Sequence, residues 1–181
     1  MALIKNILDK NPLIGNNCFL SDTCVLIGNV TIGDQCSVWF NAVIRGDVNF
    51  IKIGNKVNIQ DNAVIHCTYM KYPTIIGNNV SIGHNAIIHG CTIYDNVLIG
   101  MGAIVMDGVT VESNAIIAAG AVVTQRKHIF EGEIWAGIPA QKIGMVSHQL
   151  QKEKILQTAN NYIKYSEWYR KNKDNEDDKG M

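Results

Sequence analysis

Residues 76–123 read IGNNVSIGHNAIIHGCTIYDNVLIGMGAIVMDGVTVESNAIIAAGAVV, with an aliphatic side chain at Ile76, Ile82, Ile88, Ile93, Ile99, Val105, Val111, Ile117 and Val123. Every step is six residues except Ile88 to Ile93, which is one short. Working outward, the series extends back through Ile14, Leu20, Leu26, Ile32, Val38 and Ile44, then, after a short insertion, Ile53, Ile59 and Ile65; the longer insertion CTYMKYPT (67–74) follows. Four residues after each aliphatic comes a small or β-branched residue, as at Cys18, Cys24, Val30, Cys36, Ala42, Ala63, Val80, Ala86, Thr92, Val97 and Ala103. Gly often follows the aliphatic directly, as at Gly33, Gly54, Gly77, Gly83 and Gly100.

An amphipathic helix repeats at 3.6 and an exposed strand at 2, so neither produces a period of six. A triangular coil does: each hexad is one short strand and one corner, and three hexads make a turn of about 18 residues. The aliphatic points inward, the small residue fills the corner interior, and Gly is expected to supply backbone angles that a side chain forbids. The pattern predicts an all-β, left-handed parallel β-helix, a triangular prism whose coils stack about 4.8 Å apart. It spans residues 1–141.

From about Lys142 the hexad stops. Ser147 to Lys171 has apolar residues near helical spacing (Leu150, Ile155, Leu156, Tyr162, Ile163), so residues 142–171 are expected to form a C-terminal α-helix packed on the coil. Residues 172–181 are polar and charged, and a disordered tail is expected there. Lys+Arg and Asp+Glu are both 16, which removes the electrostatic case for nucleic acid or an anionic membrane surface. No apolar run approaches the roughly 20 residues of a membrane span, and the N-terminus lacks the features of a signal peptide. A soluble, cytoplasmic protein is expected, its five cysteines mostly small buried thiols rather than a disulfide framework.

The hexad count also places histidines. Let side three carry Ile44, Ile65 and Ile88, and side two Ile59 and Ile82. His66 and His89 directly follow Ile65 and Ile88, so they share one outward column, one strand spacing apart, with Arg45 a coil below. His84 lies near a side-two corner, with Asp61 one coil below it. The two columns meet if prisms pack side two against side three around a three-fold axis. Such a homotrimer would bring His66 and His89 of one chain to His84 of the next, and Arg45 towards Asp61. Spacing alone leaves a shared metal ion and a set of solvated surface histidines both open, and Arg45 with Asp61 reads equally as a structural ion pair. His128 and His148 fall outside the column and receive no role.

The runs SVWFNAVIRGD (37–47), NIQD (58–61), IGHNAIIHGCTI (82–93), LIGMGAIVMDG (98–108) and AGIPA (136–140) resemble the γ-class carbonic anhydrase family of hexapeptide-repeat proteins, in order and over almost the whole chain. The resemblance implies a metal site of His66, His84 and His89, with Zn2+ the usual ion and Fe2+ or Co2+ also suited to imidazole ligands. It implies that Arg45 and Asp61 form the intersubunit pair. It further implies that Gln60, Asn58, Asp47 and Tyr162 serve the pocket, Gln60 and Asn58 orienting solvent and bicarbonate. The implied activity is reversible hydration of CO2 to bicarbonate by metal-bound hydroxide at a subunit interface.

Two features depart from the best-known members. Val48 follows Asp47 where a glutamate is expected, and the 67–74 insertion contains no acid, so the proton-shuttle acids are absent. Three alternatives therefore stand beside CO2 hydration: a hexapeptide acyltransferase using acyl-CoA with one histidine as general base, a metal-dependent thioesterase or other hydrolase, and a non-catalytic trimeric scaffold. Trp39 and Phe40 are expected to pack at the interface or groove. Trp135 and Trp168 are expected to anchor the coil end and the helix.

Overall fold

In a computed structural model, which describes residues 1–177, the aliphatic series becomes three ladders of inward side chains. Side three stacks Leu26, Ile44, Ile65, Ile88, Val105 and Val123. Side two stacks Leu20, Val38, Ile59, Ile82, Ile99, Ile117 and Trp135. Side one stacks Ile14, Ile32, Ile53, Ile76, Ile93, Val111 and Ile129. Each inter-coil pairing is parallel, and the result is a β-solenoid of about seven turns. From Leu26 to Ile129 the ladder residues are sealed from solvent, each worth about 1.5–3 kcal/mol of apolar burial.

The corners hold register by a second device. The second residue after each side-one aliphatic passes its side-chain oxygen to the backbone of the coil below: Asp34 Oδ1 accepts from Asn16 N (2.7 Å), Asn55 Oδ1 from Asp34 N (2.8 Å), Asn78 Oδ1 from Asn55 N (2.9 Å) and Asp95 Oδ1 from Asn78 N (2.6 Å). The left-handed backbone falls one position later, on Gln35, Lys56, Asn79 and Asn96. This corrects the reason given for glycine. Gly54 does not have positive φ; an added Cβ would lie 2.7 Å from the Gly77 carbonyl oxygen and 2.8 Å from Asn78 Oδ1. It is glycine because the coils approach closely there, while asparagine, which tolerates the left-handed region, makes many of the turns.

The five-residue step also reads differently in space. Thr92, assigned an inward place by counting, faces outward on strand Thr92–Ile93, and Cys91 fills the corner interior instead. Gly90 at φ +57° turns the chain with one corner residue fewer than Met106–Asp107–Gly108 in the coil above.

The three sides differ outside. Side three presents Val25, Val43, Val64, Ile87, Ile104 and Val122, of which Val64 and Ile87 are 37% and 38% exposed. Side two is covered by the C-terminal helix: a turn at His148–Leu150, capped by the Ser147 hydroxyl, a π-helical stretch Gln151–Leu156, and an α-helix Gln157–Asp177. Gln151 Nε2 donates to Asn114 Oδ1 (2.6 Å) near one end of the prism, and Arg170 donates to Asn17 O (3.0 Å) near the other. Ile155, Ala159 and Ser166 are buried on its inner face. The tail expected over 172–181 touches backbone described only to Asp177; residues 178–181 lie outside the described residues.

The parallel coil is closed by an antiparallel hairpin, Glu133–Gly137 against Ala140–Met145, so sheet structure runs past the boundary at 141. Hairpin geometry needs no hexad, which is why the period fades before the sheet does. Glu133 is buried at its base and accepts from Trp135 Nε1 (2.8 Å), Phe130 N (3.0 Å) and Lys142 Nζ (2.8 Å). No helix among the described residues is long and apolar enough to cross a membrane.

Because Gly54 faces backbone rather than a yielding side chain, Gly54→Ala is expected to destabilise the coil by about 1–3 kcal/mol in urea unfolding.

Candidate metal centre

Strand pairing sets His66 directly beside His89, as the column count requires. His66 Nδ1 lies 3.1 Å from His89 Nε2. The outer nitrogen of each ring meets a carboxylate: His66 Nε2 to Asp47 Oδ1 at 3.0 Å, and His89 Nδ1 to Asp107 Oδ1 at 2.6 Å. A carboxylate only accepts, so each outer nitrogen carries the proton and each inner nitrogen presents a lone pair. With those tautomers the two inner nitrogens face each other at 3.1 Å, an arrangement that a proton or a cation between them would satisfy. Nitrogens on one tetrahedral zinc would stand roughly 3.3 Å apart, so the spacing fits.

The electrostatics favour a neutral His66 ring. Burial, with the nearby Arg45 and His89, outweighs the Asp47 contact and lowers the His66 pKa below its ordinary value. Burial also works against ionising Asp47, but hydrogen bonds from Arg45 (2.6 Å) and His66 prevail and hold its carboxyl below the usual value.

His84 has the same pattern on side two. Its Nδ1 meets Asp61 Oδ2 at 2.8 Å, and its Nε2 faces the Tyr162 hydroxyl at 3.4 Å. Burial and then the charge of Asp61 push the Tyr162 pKa up to about 12, so it stays a protonated donor. Tyr162 also packs edge-on against Trp39 (5.3 Å), and Phe19 and Tyr169 complete that cluster, so Trp39 packs within the chain. Among the described residues no group of three or more His, Cys, Asp or Glu in a single chain is placed to hold a metal ion. The pair and the third histidine stand on different sides.

The remaining expected residues sort as follows. Gln60 Oε1 accepts from His84 N (3.2 Å), its Nε2 donates to Asn58 Oδ1 (2.9 Å), and Asn58 Nδ2 donates to Ser81 Oγ (2.7 Å). Gln60 borders a groove of about 380 Å3 with His84, Leu98, Met101, Ile116 and Tyr162. Asn58 is buried and supports Gln60. Arg45 pairs with Asp47 inside the chain, and Asp61 accepts from His84 and from Phe40 N (3.2 Å). Asp107 was missed: it lies one coil above Gly90, where the short step obscures the count.

A family model described as bacterial transferase hexapeptide (six repeats) matches residues 11–46 and 90–125, and one for the hexapeptide repeat of succinyl-transferase matches 73–106. A Methanocaldococcus jannaschii protein named "Probable carbonic anhydrase" is 49% identical over 84% of this chain and 93% of its own length. Mitochondrial gamma carbonic anhydrase 2 of Arabidopsis thaliana is 42% identical over 88% of this chain but 59% of its own, so the chain spans about three fifths of that relative. The crystal structure of a hexapeptide transferase family protein from Anaplasma phagocytophilum superposes with a TM-score of 0.88 at 37% identity, over 92% of this chain and 98% of that one. The chain belongs to the γ-class carbonic anhydrase-like family of hexapeptide-repeat proteins.

The Ser81–Asn58–Gln60 chain ends on the His84 backbone. Ser81→Ala leaves a buried amide without its acceptor and is expected to cost about 1–3 kcal/mol, read as a lowered melting temperature.

Proposed function

We propose that the protein is a homotrimeric, metal-dependent CO2 hydratase, its site formed by His66 and His89 of one subunit and His84 of the next. The observation that carries this reading is the 3.1 Å approach of His66 Nδ1 to His89 Nε2, with each outer nitrogen held by a carboxylate. The bare apolar exterior of side three, which bears the pair, suits burial against a second copy. The names of the relatives support CO2 and bicarbonate as the substrate pair.

A divalent cation, Zn2+ by preference with Fe2+ or Co2+ also suited, supplies when bound a water acidic enough to act near neutral pH. The chain does the rest. Asp47, Asp61 and Asp107 each fix a tautomer and ring orientation. Gln60, locked by Asn58 and by the His84 backbone, keeps one N–H free to orient a bicarbonate oxygen in the groove. Tyr162 offers its hydroxyl beside His84 as a donor and, being held protonated, is no proton acceptor. Hydration releases one proton per CO2, and with Val48 and an acid-free 67–74 insertion its export falls to buffer. The unpaired cysteines suit a reducing compartment, and we place the protein in the cytoplasm.

One observation favours a second reading, acyl transfer with His84 as base: the mainly apolar groove beside His84 could take an acyl chain. Metal analysis and CO2 hydration on wild type and His84→Ala decide between them. The expectation is about one metal per chain and a buffer-dependent rate, both lost in the variant. Turnover of acetyl-CoA without metal or hydration would favour the transferase, and metal without hydration would favour a hydrolase or scaffold.

A further inference from the structure

The irregular hexad, the longer insertion and the histidine pair converge on one residue, Asp107. Its Oδ1 accepts from His89 Nδ1 at 2.6 Å, and its Oδ2 accepts from the Thr68 hydroxyl at 2.8 Å. Thr68 stands at the start of the 67–74 insertion, and its backbone is tied to Tyr72 across the loop neck (Thr68 N to Tyr72 O, 2.9 Å). At the other end of the insertion, Thr74 donates to the His66 carbonyl and accepts from Gly90 N. Gly90 makes the approach possible: a Cβ there would clash with Asp107 Oδ1. Shortening the coil by one residue and turning it on Gly90, which has no side chain, opens the space through which the Asp107 carboxylate reaches down to His89.

We propose that Asp107, held by Thr68, is the positioning residue that fixes the His89 ring with its Nε2 lone pair turned towards His66, and that the 67–74 insertion thereby sets the metal affinity of the pair. The inference deepens the metal reading and rests on it for affinity, but the ring orientation stands independently of any ion. Asp107 acts through His89 and touches no substrate. Loss of Thr68's hydroxyl leaves the carboxylate in place but free to rotate, so its effect is smaller.

The test uses the whole 181-residue chain and two readouts. Nitrogen NMR of the metal-free protein reports the His89 tautomer, and competition against a chromophoric chelator, with Zn2+ as the probe, reports affinity. Wild type is expected to carry the His89 proton on Nδ1. Asp107→Ala should release that tautomer and weaken Zn2+ binding roughly 10- to 100-fold. Asp107→Asn, which keeps an acceptor without the charge, should recover part of the loss, and Thr68→Val should fall between it and wild type. Thr68→Val keeps the proposal testable if Asp107→Ala fails to fold. An unchanged tautomer with Zn2+ affinity within about twofold of wild type in both folded variants would overturn the proposal. A wild type that binds no Zn2+ would overturn the metal reading instead, while the tautomer readout still decides the positioning role.

Discussion

Stacking of consecutive coils at one strand spacing is the constraint from which the rest follows. Parallel pairing at about 4.8 Å makes every outward side chain a near neighbour of the one a coil above. That spacing is close to what two imidazoles need to share one ion, so a column of two histidines is pre-arranged for one in a way that two histidines on a loop are not. The constraint holds because two interactions agree on it: the sealed aliphatic ladders inside and the Asn/Asp oxygens passed from coil to coil at the corner. Slippage by one residue would expose the aliphatics and break the corner bonds together.

Deviations from the regular coil gather at the site. The extra residues between Ile44 and Ile53 bring Asp47 to His66, the 67–74 insertion brings Thr68 to Asp107, and the short step at Gly90 lets Asp107 meet His89. A regular solenoid needs none of these. Local departures from an otherwise consistent pattern are where function is expected to override folding preference.

That contrast also explains what could be read in advance. The three ladders and the His66–His89 neighbour relation were legible because each depends only on counting residues through a rigid period. Asp107 was not, because the count crosses the five-residue step and a carboxylate in a corner has no periodic signature; Thr92 was misassigned for the same reason. The glycines were located correctly but explained by φ, since a sequence does not reveal that the next coil's carbonyl stands under 3 Å from where a Cβ would go. The hairpin at 133–145 escaped the period because antiparallel closure obeys a different one.

The number of carboxylates bears on which chemistry the site can run. A single histidine acting as a general base needs one orienting acid. Here all three expected ligands have one, Asp47, Asp61 and Asp107, each on one ring nitrogen. On His66, burial and the neighbouring Arg45 outweigh the Asp47 contact and disfavour a proton. Carboxylates that fix ring orientation on all three histidines are the support that the proposed cation site would need. The alternative of a base-catalysed transferase leaves two of the three acid–histidine pairs without a task.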